Sequence, residues 1–149
     1  MAVDFPSVEW FQALADMANE DPVFQKFGRM NAVIVFKAGD SAYNVTFDVL
    51  TVGDVRAVEE SALRDADFVI EISPEKWRGM IEDIKANGTA GRDWTLNTLD
   101  LVDEEPIHKN FAEDGFAADK FFRYNPSLQQ FMDNSRELET NFTLEGATA

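Results

Sequence analysis

From residue 43 to residue 49 apolar and polar side chains alternate without a break. Tyr43, Val45, Phe47 and Val49 fall on one parity, and Asn44, Thr46 and Asp48 on the other. A period of two is the mark of a β-strand with one face in a core. Such a strand needs partners, and the flanking sequence offers them. Residues 32–36 read Ala-Val-Ile-Val-Phe, a run rich in β-branched side chains, and 37–40 read Lys-Ala-Gly-Asp, a turn. Gly53-Asp54 predicts a second turn, 55–60 a third and more polar strand near an edge, and 67–72 a fourth with Phe68, Ile70 and Ile72 on one face. Short turns between consecutive strands predict a β-meander over residues 31–72.

Helical patterns flank this region. Trp10, Phe11, Leu14, Met17 and Ala18 recur at helical spacing over 7–19, with Ser7 or Asp4 available as the cap. Asp21-Pro22 opens a second short helix with Val23, Phe24 and Phe27 as its buried side, and Gly28 closes it, so helices are expected over 3–28. Ser73-Pro74-Glu75 is the clearest helix start: a side-chain cap, a proline where the missing N–H costs nothing, and an acid on the positive end of the dipole. Trp77, Met80, Ile81 and Ile84 follow at i, i+3, i+4 and i+7, and Asn87-Gly88 supplies the stop, giving a helix over 74–87.

The C-terminal part, 92–139, is less regular. Residues 94–102 fit helix or strand, and 103–106, Asp-Glu-Glu-Pro, a solvated loop. Phe116, Phe121 and Phe122 lie in the next stretch. Asn125-Pro126-Ser127 reads as the start of a final helix with Leu128, Phe131, Met132 and Leu138 on one face, and the tail from Thr140 as frayed. With 149 residues, no repeat and no linker, the chain is expected to be one domain over 1–149. The expected fold is α/β of the α+β kind, with an antiparallel or mixed sheet of about five strands covered on one face by helices.

Composition restricts function. The chain has 28 acidic and 13 basic residues, a formal net charge of −15. That argues against nucleic acid and against docking on anionic lipid, both of which are recognised by Lys and Arg. Cysteine is absent, which excludes a disulfide scaffold, a thiol nucleophile and a zinc-thiolate site. No signal-peptide pattern opens the sequence and no apolar run approaches the ~20 residues of a membrane span. The expected location is cytoplasmic, without stable membrane insertion, and the N-x-Thr sequons at Asn44, Asn87 and Asn141 then carry no meaning. The 13 Phe outnumber the 2 Tyr, so most rings are expected to be buried or to line something apolar.

Residues 66–77, Ala-Asp-Phe-Val-Ile-Glu-Ile-Ser-Pro-Glu-Lys-Trp, resemble a segment of the sterol carrier protein type-two family. In that family an Ala-Asp pair opens a strand, Ser caps the following helix, and an aromatic sits on its first turn; here these are Asp67, Ser73 and Trp77. The preceding strands have similar spacing, and the resemblance spans residues 8–88. The family's Gly-rich strand after this helix has no counterpart in 92–119, so this stretch could form a fifth strand, a lid or a partner surface. The resemblance implies a non-catalytic domain that binds a lipid, fatty acid, sterol-like molecule or acyl-CoA in an apolar tunnel. The family has no common catalytic residues, so none are carried over. The residues expected to line the tunnel are Phe47, Val49, Phe68, Ile70, Trp77, Met80, Ile81, Trp94, Phe121, Phe122, Phe131 and Met132, each of which also fits a plain core. The C-terminal helix would be its lid.

No cofactor or metal site is expected. His108 is the one histidine and reads as a surface residue beside Lys109. Asp103, Glu104 and Glu105 lack the alternate spacing of a calcium loop, and the pairs Glu59-Glu60 and Asp65-Asp67 read as solvated charge. The stretch 88–91 is a helix stop and not a phosphate loop, since it follows a helix and lacks Lys-Ser/Thr. Arg92, Lys109, Lys120 and Arg123 read as surface bases, with a ligand carboxylate or phosphate as their functional alternative. Two other functions fit. One is an accessory subunit that docks on a partner enzyme, or a homodimer, by an apolar patch. The other is a small cone-shaped enzyme of the ketosteroid-isomerase kind, which requires a buried carboxylate of raised pKa.

Overall fold

A computed structural model describes residues 2–26, 30–49, 51–91, 94–102, 107–109 and 117–143. Its central sheet has the order β4-β3-β2-β5-β6, from β2 (Met30–Ala38), β3 (Ser41–Val49), β4 (Thr51–Val58), β5 (Phe68–Ile72) and β6 (His108–Lys109). The pairs β2–β3, β3–β4 and β5–β6 are antiparallel and β2–β5 is parallel, so the sheet is mixed. The expected α+β class and five strands are present.

The meander, however, ends at β4. The chain then crosses the sheet through a 3-10 turn at Glu60–Asp65 and returns as β5 alongside β2. Alternation along β2 explains this. Ala32, Ile34, Phe36 and Ala38 belong to the main core, while Val33 and Val35 join Leu63, Ala66 and Val69 in a second small cluster. Both faces of β2 are therefore apolar, as a central strand requires. Asp67 fixes the crossover: its carboxylate accepts the N–H of Val33 at 2.7 Å, and its own N–H donates to the Val33 carbonyl at 2.7 Å. It is thus a structural group and not a solvated charge.

Gly53-Asp54 does not form a turn. Both lie within β4 at a bulge, where the register with β3 slips between Asn44 and Thr46 and Asp54 takes a φ of +48°. Asn44 Nδ2 donates to the Asp54 carbonyl at 2.9 Å, which satisfies the bulge and buries this sequon asparagine.

The helices lie on one face of the sheet. In α1 (Val8–Glu20), capped by the Ser7 hydroxyl on the Trp10 N–H, Phe11 stacks on Phe36 and Tyr43 at ring-centroid distances of 5.2 and 5.3 Å. The short α2 (Pro22–Lys26) buries Phe24, but Val23 is 47% exposed, contrary to the expected pattern; Phe27 and Gly28 lie outside the described residues. Next, α3 (Pro74–Asn87) has the expected Ser73 cap, and Gly88 closes it at a φ of +85°. Trp77, Met80, Ile81 and Ile84 form its buried face. The ambiguous stretch after Gly91 forms α4 (Leu96–Val102).

Three expectations at the chain ends are overturned. The last helix, α5 (Ala117–Asp133), starts before Asn125 and runs through Pro126. The N-terminus is not helical from residue 3, because Ala2–Phe5 is strand β1. Nor is the tail frayed at Thr140: Glu139–Phe142 is strand β7, parallel to β1. Buried side chains draw both ends in. Phe5 packs edge-on to Trp10 at 4.7 Å and to Phe142 at 6.2 Å, and the Trp10 indole N–H donates to Thr140 Oγ1 at 3.1 Å. One buried cluster thus runs from Phe5 to Met132.

Candidate functional site

The apolar layer between the sheet and the helices gathers most of the residues singled out from the sequence. Phe47 comes from β3, Phe68 and Ile70 from β5, Trp77, Met80 and Ile81 from α3, and Phe121, Phe131 and Met132 from α5; all are at most 2% exposed. Trp94 packs against them, half-buried, over Gly79 of α3. Val49 belongs to β3 and Phe122 to α5, but their side chains are outside the described residues.

The layer is closely packed. Phe131 stacks on Phe36 at 5.9 Å and meets Phe47 edge-on at 5.2 Å, and Phe121 meets Phe68 edge-on at 5.9 Å. The indole N–H of Trp77 donates outward to the Lys37 carbonyl at 3.0 Å, which leaves the ring free for apolar contact. The methionines add side chains that adapt their shape.

Three amide side chains and two carboxylates tie the last turns of α5 to their surroundings. On one side, Asp21 accepts Gln130 Nε2 at 2.8 Å and Asn134 Nδ2 at 3.0 Å on one oxygen, and the Val23 N–H at 2.9 Å on the other. Burial pushes the Asp21 carboxyl up, but these donors together with the Phe24 N–H outweigh it and hold the pKa below its ordinary value. On the other side, Gln129 accepts the Leu96 N–H at 2.7 Å and donates to Asp133 at 3.0 Å, and Asp133 accepts the Ala90 N–H at 3.1 Å. Burial dominates at Asp133 and raises its pKa, in spite of these donors and Arg136. The other buried carboxylate among the described residues, Asp100, accepts the Ile107 N–H at 2.8 Å. Both buried acids thus have a bonding role to the main chain. Two buried polar atoms among the described residues have no partner, Asn125 Nδ2 and Ser135 Oγ.

Beside the layer, a surface groove of about 280 Å3 runs between α3 and β7, with Ile81, Leu138 and Phe142 among its lining. Lys85 bridges it by an ion pair to Glu139 at 3.1 Å, and the Arg78 guanidinium lies 5.1 Å from the centre of the Phe142 ring.

Comparison with known proteins gives a likeness of fold. No family model matches the sequence, and no curated protein matches it. The chain does share its fold with a conserved hypothetical protein from Thermus thermophilus, described as a candidate sterol carrier protein. The TM-score is 0.58 at 18% sequence identity, over 91% of this chain and 90% of that one.

Sequence reasoning missed Asp21, Gln130 and Asn134, whose pairings join residues 109 and 113 positions apart and leave no local signal. It also missed the groove residue Phe142, although the run Thr140-Asn-Phe-Thr143 carries β-formers. Of the other residues weighed, 103–106, Arg92 and Phe116, and the side chains of His108, Lys109 and Lys120, lie outside the described residues; the backbone of His108 and Lys109 forms β6. Arg123 is exposed. No group of acids or histidine able to hold a metal occurs among the described residues, and none of their helices is long and apolar enough to cross a membrane.

Proposed function

We propose that this chain is a non-catalytic carrier that takes a single apolar ligand, of the lipid, fatty-acid, sterol-like or acyl-CoA class, into the layer between its sheet and helices. The observation that carries this reading is the layer itself. Phe47, Phe68, Ile70, Trp77, Met80, Ile81, Phe121, Phe131 and Met132 converge there from four elements. The mechanism is burial, at roughly 25 cal/mol for each Å2 of apolar surface removed from water. Since the layer is packed, a ligand gains room by displacing the apolar face of α5, with Met80 and Met132 refilling the space around it. Val49, Trp94 and Phe122 complete the proposed wall. The shared fold with a candidate sterol carrier supports the same reading. So does the resemblance of residues 66–77 to the sterol carrier family.

The enzyme alternative gains little from the buried acids, because Asp100 and Asp133 already bind main-chain N–H groups. The docking alternative gains little from the surface, where Val23 is the one large exposed hydrophobic side chain among the described residues. We infer one domain working in the cytoplasm. Native mass spectrometry, before and after organic extraction, tests the carrier reading. A bound lipid released by extraction supports it. An empty protein that also fails to bind a fluorescent fatty acid or sterol overturns it.

A further inference from the structure

The groove between α3 and β7 is continuous with the apolar layer. Ile81 belongs to both: it lines the groove and is 2% exposed within the main core. Leu138 and Phe142, also in the lining, pack against that core. The charged lining is Glu82, Lys85 and Glu139, and each acid has a basic partner. Glu82 accepts Arg78 Nε at 3.2 Å, one turn away on the same helix. Lys85 instead reaches from α3 to Glu139 of β7 at 3.1 Å, and its Nζ also donates to the Arg136 carbonyl at 3.1 Å. The main-chain bond holds the ammonium at the groove independently of Glu139. The Lys85 and Glu139 side chains are 42% and 70% exposed, and a pair so open to water adds little to stability. Glu139 can therefore leave Lys85 for water at small cost.

Charge decides what such a groove can hold. A carboxylate gives up its water only where a cation replaces it. The chain carries a net charge of −15, and the buried charged side chains among the described residues, Asp100 and Asp133, are acids that oppose a carboxylate inside the layer. The groove sets a base, open water and apolar contact side by side at the layer's margin. We propose that it seats the carboxylate of a long-chain fatty acid. The ligand's carboxylate takes the place of Glu139 on Lys85 Nζ, Glu139 turns to water, and the hydrocarbon chain runs past Phe142 and Ile81 into the layer. Lys85 thus selects an ionised lipid over a neutral one. The inference rests on the carrier reading above and narrows its ligand class.

Calorimetric titration of the full-length protein with palmitic acid and with palmityl alcohol tests this, since the two share a chain and differ in the head. At neutral pH the wild type is expected to bind the acid about tenfold more tightly than the alcohol, the gain of a hydrogen bond to a charged group. Lys85→Met keeps the apolar stem and removes the charge. It should weaken the acid by about the same tenfold and leave the alcohol unchanged. Glu139→Gln removes the competing carboxylate, so it should tighten the acid and again leave the alcohol unchanged. This second variant keeps Lys85 in place and reads the same exchange from the other side, with the opposite sign. Equal binding of acid and alcohol by the wild type, or a preference for the acid that survives in Lys85→Met and does not grow in Glu139→Gln, overturns the head-group site and leaves the carrier reading standing. A wild-type protein that binds neither lipid removes the carrier reading and this site with it.

Discussion

Two aspartates show how one residue type acquires opposite roles from its surroundings. Asp21 is held below the ordinary carboxylate pKa of 3.8 by its donors, so its ionised form stabilises the fold. That contribution is complete above pH 3.8 and is lost as the pH falls through the lower, folded-state value. Asp21→Ala should therefore cost about 1–3 kcal/mol at neutral pH, by stranding Gln130 and Asn134, and progressively less in strong acid. Urea unfolding at a series of pH values checks this. Asp133 carries the opposite sign. Its pKa is raised, so the folded state holds the proton more tightly, and stability falls as the pH rises from 3.8 through the folded-state value. Asp133→Asn keeps an acceptor for the Ala90 N–H and removes the buried charge. It should be more stable than wild type at pH 7, with the difference closing as the pH falls to 3.8.

At the scale of elements, α3 and β7 carry the sharpest expectations. A Cβ built on Gly79 would overlap the ring of Trp94, so a methyl group there forces the indole off the helix. Ala is the better helix former by about 1 kcal/mol, but overpacking costs about 1–3 kcal/mol, and the steric effect should win. Gly79→Ala should lower the melting temperature and shift tryptophan emission to the red. Trp94 is the source expected to change, since Trp10 and Trp77 are fully buried. Removing β7 by ending the chain at Leu138 should destabilise the fold by several kcal/mol, because Phe5, Trp10 and Arg78 lose partners on Phe142 and Thr140. Thermal unfolding of the truncated chain measures it. The elements legible in the sequence were those with strong local grammar. Ser73-Pro74 starts α3 and Gly88 ends it because cap, proline and left-handed glycine act within one turn. The same local rules misread Asn125-Pro126, since α5 is held by packing on both sides of a proline that propensity alone treats as a boundary. They misread Gly53-Asp54 as a turn because a bulge uses the same residues.

At the scale of the molecule, periodicity marked the core and topology lay beyond it. The alternation of Tyr43, Val45 and Phe47 and the stripe of Trp77, Met80, Ile81 and Ile84 identified buried faces, and these do meet in one cluster. That β5 returns to β2, or that Asp21 meets Gln130 and Asn134, depends on contacts distant in sequence, which no local pattern encodes. The proposed carrier role places an apolar ligand in the layer beneath α5. Methionine-methyl NMR tests it most directly, because Met80 and Met132 are buried within the layer whereas Met17 packs at its margin from α1. The protein would be titrated with a long-chain fatty acid and, separately, with a sterol. At least one of them should shift the Met80 and Met132 methyl signals strongly and together, and Met17 less. Saturation with both that leaves these two signals in place would contradict it.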